Sequence, residues 1–148
     1  MPLKTRILDD VKNAMRARER DRLGALRLIT AAIKQIEVDQ RIELDDAQVL
    51  AVLDKMAKQR RESLEQFENA GREDLAEKER YELGLIQSYL PEPLGEAELA
   101  ALIQSAINEL GASSIRDMGQ VMNTLRSQVQ GRADMKAVSQ AVKQQLGA

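Results

Sequence analysis

The stretch Tyr89-Leu-Pro-Glu-Pro-Leu94 divides the chain and decides how its helices are grouped. Each of its two prolines fixes φ, removes a backbone donor and pushes the preceding residue towards an extended conformation. Apolar residues recur at helical spacing before this stretch and again after it, so no helix is expected to run through it. The sequence therefore predicts two helical units joined by a stiff elbow.

The predicted fold class is all-α, because about seven stretches show helical periodicity and none shows the alternation typical of a strand. We expect an N-terminal four-helix domain over residues 1–90, the Pro-rich elbow over residues 91–94 and a C-terminal three-helix domain over residues 95–148. The first two helices are predicted over Leu3–Arg18 and Asp21–Glu37, and the fourth over Glu73–Tyr89.

Helix starts are marked by capping residues. Asp45 with Gln48 predicts a capping box for the third helix, and Ser114 and Asp134 are predicted to cap the last two helices. Gly24 lies inside the second helix, where glycine costs about 1 kcal/mol relative to alanine. We therefore expect another helix to cross close to Gly24.

The composition excludes several classes of function. The 148 residues include no cysteine, histidine or tryptophan, which removes disulfides, thiolate metal sites, thiol catalysis and the commonest general base. The net charge of −2 disfavours wholesale binding to nucleic acid but allows a local basic face. No apolar signal region or membrane span is visible, so we predict a cytoplasmic protein with no membrane partner.

No catalytic centre is visible in the sequence. The serines lack the Gly-x-Ser-x-Gly and Ser-x-x-Lys contexts, and no glycine-rich phosphate loop is present. The acidic pairs Asp45/Asp46 and Glu73/Asp74 lie where helix starts favour negative charge, with a magnesium site as the alternative interpretation. The sequence predicts no catalytic residue, no metal and no cofactor.

A series of cations recurs every seven residues along the second helix, where it would lie along one side and could contact consecutive phosphates. The series consists of Arg20, Arg27, Lys34 and Arg41. In the alternative interpretation, these cations are an ordinary solvated surface, paired with Asp21, Glu37 and Asp39.

The turn before the last helix is a second candidate binding face. Gly131 is predicted to end one helix and Asp134 to start the next, with Arg132 and Lys136 beside the turn. Backbone amides at a helix start together with two cations can bind a phosphate, although the same residues also make an ordinary turn. Gly119 lies within the preceding helix and predicts close packing or a backbone contact there.

Four segments together resemble the GatB/YqeY family: Lys58–Arg72, Tyr89–Leu94, Met118-Gly-Gln-Val-Met122 and Gly131-Arg-Ala-Asp134. The resemblance covers the whole chain as a free-standing YqeY-like protein. Its C-terminal part is also similar to the tail domain of the GatB subunit of the tRNA-dependent amidotransferase. The resemblance implies two helical domains, of which the tail-like domain helps to hold tRNA. It also implies a grouping with carbon–nitrogen ligases that use glutamine as amide donor, although the ATP-binding cradle and amidase of that enzyme have no counterpart here.

Six positions match the tail-domain motif and are expected to shape its surface: Gly119, Val121, Met122, Gly131, Ala133 and Asp134. Nearby, Arg126, Arg132 and Lys136 are the cations that we expect to contact RNA. The sequence departs from the motif at Met135, where a glycine is expected, and at Ser139, where an asparagine is expected.

The leading hypothesis is a non-catalytic helical module that binds tRNA or another structured RNA by its shape and phosphates, because aromatic residues for stacking are scarce. The second hypothesis is an adaptor that binds a protein partner. The third is a stand-alone amidotransferase.

Overall fold

The structure is a computed structural model, and it describes residues 1–147. Within these residues the chain forms seven α-helices, one short 3₁₀ turn and no β-strand, which confirms the all-α class. The helices are α1 (Leu3–Arg16), α2 (Arg20–Gln40), α3 (Asp46–Asn69), α4 (Glu73–Tyr89), α5 (Glu96–Leu110), α6 (Met118–Val129) and α7 (Met135–Gln145). Inside the described range, no helix has an apolar stretch long enough to cross a membrane.

The contacts divide the chain into two compact units, Met1–Leu90 and Pro91–Ala148. The boundary follows from proline chemistry: α4 ends at Tyr89, and Leu90, which precedes Pro91, adopts an extended conformation with ψ of 151°.

Unit 1 contains two pairs of antiparallel helices, α1 with α2 and α3 with α4, each joined by a three-residue connection. Fully buried side chains from all four helices, such as Ile7, Leu26, Leu53 and Ile86, form its core. The predicted capping box is confirmed: Asp45 accepts from the Gln48 amide at 2.9 Å, and the Gln48 side chain accepts from the Asp45 amide at 2.9 Å.

Unit 2 packs α5, α6 and α7 around a smaller core. Its fully buried side chains are Ile103, Val121, Leu125, Val129, Val138 and Val142. Asp134 caps α7 by accepting from the Lys136 amide at 3.4 Å. Ser114 accepts from the Arg116 amide, but it caps the 3₁₀ turn Ile115–Asp117 rather than α6, which begins only at Met118.

Three expectations about the helices need correction. α1 ends at Arg16 rather than Arg18, because Arg18 adopts a left-handed conformation with φ of 57°. α2 is longer than predicted at both ends. No helix crosses closely at Gly24: a Cβ added there would meet no atom within 4 Å.

Candidate nucleic-acid interface

Three of the four predicted cations lie on one continuous helix, and we call Arg20, Arg27 and Lys34 the basic row. All three side chains are exposed on α2. A spacing of seven residues corresponds to about 10 Å along a helix, so the row extends for about 20 Å along one side. The fourth cation, Arg41, lies just beyond the helix in a left-handed conformation with φ of 54°.

The cations of the basic row are not held in ion pairs with carboxylates. Within residues 1–147, none of its three cations forms an ion pair. Glu37, one of the partners expected in the alternative interpretation, instead accepts from the Lys4 ammonium at 2.7 Å, and Asp39 accepts from the Gln35 side chain at 3.0 Å. The positive charge of the row is therefore open to solvent.

Glu37 is held in place by two donors. Besides Lys4, its carboxylate accepts from the Leu44 amide at 2.9 Å. The Lys4 hydrogen bond and, after it, the Leu44 amide lower the pKa of Glu37, with smaller contributions from the charges of Lys4 and Lys34. Glu37 consequently stays ionised and fixes the start of α1 against the end of α2.

The turn between α6 and α7 is built around Gly131. Its φ of 77° lies in the left-handed region, where a side chain is disfavoured. The Val129 carbonyl accepts from the amides of Arg132 at 2.9 Å and Ala133 at 3.1 Å, which closes α6. Gly131 and Asp134 thus shape the turn, in agreement with the sequence pattern.

Arg132 is directed towards its own unit. Its Nε donates to the Glu92 carbonyl at 3.0 Å, and its guanidinium lies 3.8 Å from the Glu98 carboxylate. Its backbone carbonyl also accepts from the Leu94 amide at 2.7 Å. Arg132 therefore fastens the Pro-rich stretch to the α6–α7 turn, a role that the sequence pattern did not indicate.

The two other predicted cations of unit 2 are free of such contacts. Arg126, in the last turn of α6, and Lys136, in the first turn of α7, are exposed and form no ion pair within the described residues. They flank the turn from opposite sides in sequence. The cations of this face that remain open to solvent are therefore Arg126 and Lys136.

Three positions of the tail-like motif, Gly119, Met135 and Ser139, differ in how far they pack against the rest of unit 2. Gly119 is the second residue of α6 and is exposed, and a Cβ there would meet no atom within 4 Å, so the predicted close packing is not observed. Met135 packs partly against the core of unit 2, a contact that glycine could not make. Ser139 is half-buried on α7.

The acidic pairs at the helix starts are engaged by the protein itself. Asp46 accepts from the Leu3 amide at 2.9 Å. Asp74 pairs with Arg72 at 3.1 Å and Glu73 with Arg80 at 3.1 Å. Among residues 1–147, no group of three or more acidic side chains is placed to hold a metal ion.

Two polar contacts in unit 1 have no local signal in the sequence. Arg60 on α3 lies 2.8 Å from Glu82 and 3.6 Å from Glu79 on α4, and Glu82 is buried. The Tyr89 hydroxyl donates to Asp10, while the Arg6 guanidinium lies 5.1 Å from the centre of its ring. Burial, followed by the hydrogen bond to Asp10, raises the pKa of Tyr89. Both contacts join distant helices and stabilise unit 1.

Three fungal proteins, each named "Altered inheritance of mitochondria protein 41, mitochondrial", are similar to this chain. The protein from Pyrenophora tritici-repentis is 35% identical over 97% of this chain and 80% of its own length. Those from Eremothecium gossypii and Lachancea thermotolerans are 38% and 34% identical over 68% and 71% of this chain. The matches span only 57% and 58% of the lengths of these last two relatives.

These names contradict the prediction of a cytoplasmic protein, which is therefore corrected: the relatives are named as mitochondrial proteins. The prediction rested on a composition without cysteine and without an apolar segment. That composition suits the interior of an organelle as well as it suits the cytoplasm.

The chain also matches the sequence model of a protein family. The sequence model described as Yqey-like protein matches residues 4–146, which include every helix of both units. This match confirms the family that the proline stretch and the two glycine motifs indicated. The chain belongs to the YqeY-like protein family.

Proposed function

We propose that this protein binds structured RNA, with tRNA as the first candidate, through phosphate contacts and without catalysing a reaction on it. The observation that carries the proposal is the basic row on α2, three exposed cations at regular spacing that form no ion pair in the described residues. Regularly spaced cations on one rigid helix match the repeating charge of a nucleic-acid backbone.

Unit 2 contributes a second set of contacts in this proposal. Arg126 and Lys136 flank the turn formed by Gly131 and Asp134, and both side chains are exposed. The resemblance of this turn to the tail domain of GatB supports its contact with RNA. Arg132 serves this face indirectly, because its hydrogen bond to the Glu92 carbonyl holds the turn in place.

The proposal leaves out glutamine-dependent amide transfer. The polar clusters of unit 1 are accounted for by packing, since Arg60 neutralises Glu82 and Asp10 accepts from Tyr89. Arg60 and Glu82 include no nucleophile, and the raised pKa of Tyr89 disfavours the phenolate that a nucleophilic tyrosine needs. The ligase grouping therefore belongs to the family resemblance and not to this proposal.

A salt-dependent titration tests the proposal. We would measure the fluorescence anisotropy of labelled tRNA with the purified chain at about 50 and about 200 mM salt. The three contacts of the basic row alone predict an affinity that falls at least about 40-fold between these salts, because each contact contributes about 0.9 to the logarithmic slope, and any contact of unit 2 adds to this fall. A DNA duplex of equal length serves as the comparison, and weaker binding to it is expected if shape matters.

Substitutions assign the binding to the basic row. Arg27→Gln and Lys34→Gln are each expected to weaken tRNA binding and to reduce the salt slope by about 0.9. Lys58→Gln is the matched control, because Lys58 is an exposed cation on α3, outside the row. Equal slopes for all these variants and the native chain would show that the row does not contact RNA, and no binding at low salt would refute the proposed function.

A further inference from the structure

The groove between α1 and α2 has an apolar edge that phosphate binding leaves unused. Leu8 on α1 lines the groove and is 42% exposed. Met15, seven residues later and 48% exposed, extends this edge beyond the groove lining, beside Arg27. Both are large apolar side chains on α1, and each directly follows a fully buried residue of that helix, Ile7 and Ala14 respectively. The two side chains lie two helical turns apart on the same side of α1, and together we call them the apolar edge.

A cationic edge runs parallel to the apolar edge. Arg27 and Lys34 on α2 have the same seven-residue spacing as Leu8 and Met15. The two edges are in register, because the Arg27 guanidinium lies 3.7 Å from the Met15 sulfur. Arg20, the remaining member of the basic row, does not line this groove.

The space between the two edges is large enough for a ligand. The groove has a volume of about 470 Å³, and Leu8, Ala31 and Ile33 contribute to its apolar lining. One end carries the Lys4–Glu37 ion pair at 2.7 Å, in which the two charges compensate each other. The groove therefore keeps a net positive charge from Arg27 and Lys34.

We infer that this groove binds an amphipathic α-helix of a partner protein, with an apolar stripe against Leu8 and Met15 and acidic residues beside Arg27 and Lys34. A helix lying between two antiparallel helices repeats its contacts every seven residues, which is the spacing of both edges. Acidic side chains next to the apolar stripe complement the two cations, as flanking charges do in coiled coils.

This occupant fits the groove better than the alternatives do. RNA presents sugars and phosphates, which would cover Leu8 and Met15 with polar groups and gain nothing from their burial. A basic helix would meet Arg27 and Lys34 with like charge. The inference goes beyond the proposed RNA binding, and the two bindings share only Arg27 and Lys34.

The test uses two designed peptides as probes on the full chain. Both have about three heptads with leucine at the a and d positions, and they carry either glutamate or lysine at the e and g positions. We expect the glutamate peptide to bind at least about tenfold more tightly in a fluorescence titration. Equal affinity for the two peptides would overturn the inference.

Three variants separate the groove from the RNA site. Leu8→Asn is expected to weaken the binding of the glutamate peptide roughly tenfold, because it puts a polar side chain on the apolar edge. It should leave tRNA binding nearly unchanged, because it adds no charge beside Arg27 and Lys34. Arg20→Gln is expected to weaken tRNA binding and to leave the binding of the glutamate peptide nearly unchanged. Lys58→Gln should change neither binding, and the thermal unfolding of each variant confirms that it is folded.

Each remaining outcome decides between occupants. If Leu8→Asn weakens tRNA binding and not peptide binding, the groove belongs to the RNA site and the inference is wrong. If the native chain is a dimer in light scattering and Leu8→Asn makes it monomeric, the occupant is a second copy and the inference is again wrong. If the native chain binds the glutamate peptide but no tRNA, the proposed function alone is refuted.

Discussion

Replacing Arg132 by alanine tests whether this residue supports the fold of unit 2 or contacts a ligand. The substitution removes the hydrogen bond from Nε to the Glu92 carbonyl and the ion pair with Glu98. It leaves the backbone hydrogen bond from the Leu94 amide to the Arg132 carbonyl formally intact. We therefore expect a loosened Pro-rich stretch and a less stable unit 2.

The expected loss of stability can be worked out from these contacts. A hydrogen bond from a charged donor contributes about 1.5–3 kcal/mol. Because the Arg132 side chain is 35% exposed, water competes for its donors and the hydrogen bond contributes only part of this energy. Glu98 is 67% exposed at a distance of 3.8 Å, so its ion pair adds at most a few tenths of a kcal/mol, roughly. The free energy of unfolding should fall by about 1–2 kcal/mol, which for a unit of this size lowers Tm by roughly 4–16 °C.

Calorimetry of the full chain measures the change in Tm, and hydrogen exchange of the Leu94 amide reports whether the Pro-rich stretch loosens. Lys136→Ala is the matched control: Lys136 is an exposed cation near the same turn without an ion pair in the described residues, and its removal should change stability by less than about 0.5 kcal/mol. The reasoning is refuted if Arg132→Ala unfolds at the native temperature while its salt slope for tRNA falls by one contact.

Further predictions concern single contacts of both units. Gly24→Ala should raise the free energy of unfolding by about 0.5–1 kcal/mol, because the site is open and helical. Gly131→Ala should lower it by about 1–2 kcal/mol, because φ is 77° at that position. Urea unfolding measures both changes, and a change of the same sign in the two variants would contradict the argument. Burial and the Asp10 hydrogen bond raise the pKa of Tyr89, so its contribution to stability is present below its ordinary pKa of 10.0 and is lost as the pH rises beyond it. Tyr89→Phe should cost about 1–2 kcal/mol at neutral pH and flatten the alkaline decline, and an unchanged alkaline profile would argue against this contact. The pKa of Glu37 is lowered from 4.5, so the stability contributed by its ionised carboxylate is present above that pH and is lost as the pH falls. Glu37→Gln should therefore flatten the loss of stability at acid pH, measured by urea unfolding. A loss as steep as that of the native chain would count against the Lys4 contact.

Local chemistry made much of the fold predictable. The extended conformation of Leu90 follows from the next residue being Pro91, and it ends α4 at the predicted position. The capping box of Asp45 and Gln48 involves residues three positions apart, so the sequence alone indicates the contact. The end of α1 has no such signal in the sequence, because the left-handed residue there is Arg18 and not the glycine that usually takes this conformation.

The sequence indicated those features of the candidate site that lie within one helix. It did not indicate contacts between residues that are far apart along the chain. The regular spacing of the basic row was visible because α2 is one helix. The engagement of Arg132 by Glu92, 40 residues away, depends on tertiary packing and has no local pattern. The same holds for the apolar edge of Leu8 and Met15, which matters only because α2 places Arg27 beside it.

The hydrogen bonds of Arg132 also bear on where the C-terminal unit can be separated from the rest of the chain. Arg132 uses the Glu92 carbonyl and its own carbonyl receives the Leu94 amide, so both partners come from the Pro-rich stretch. A fragment starting at Gly95 would lack both groups and would leave the α6–α7 turn without its lateral support. The shortest C-terminal fragment that keeps the α6–α7 turn supported therefore begins at Pro91. The two prolines belong structurally to the C-terminal unit and not only to the connection before it.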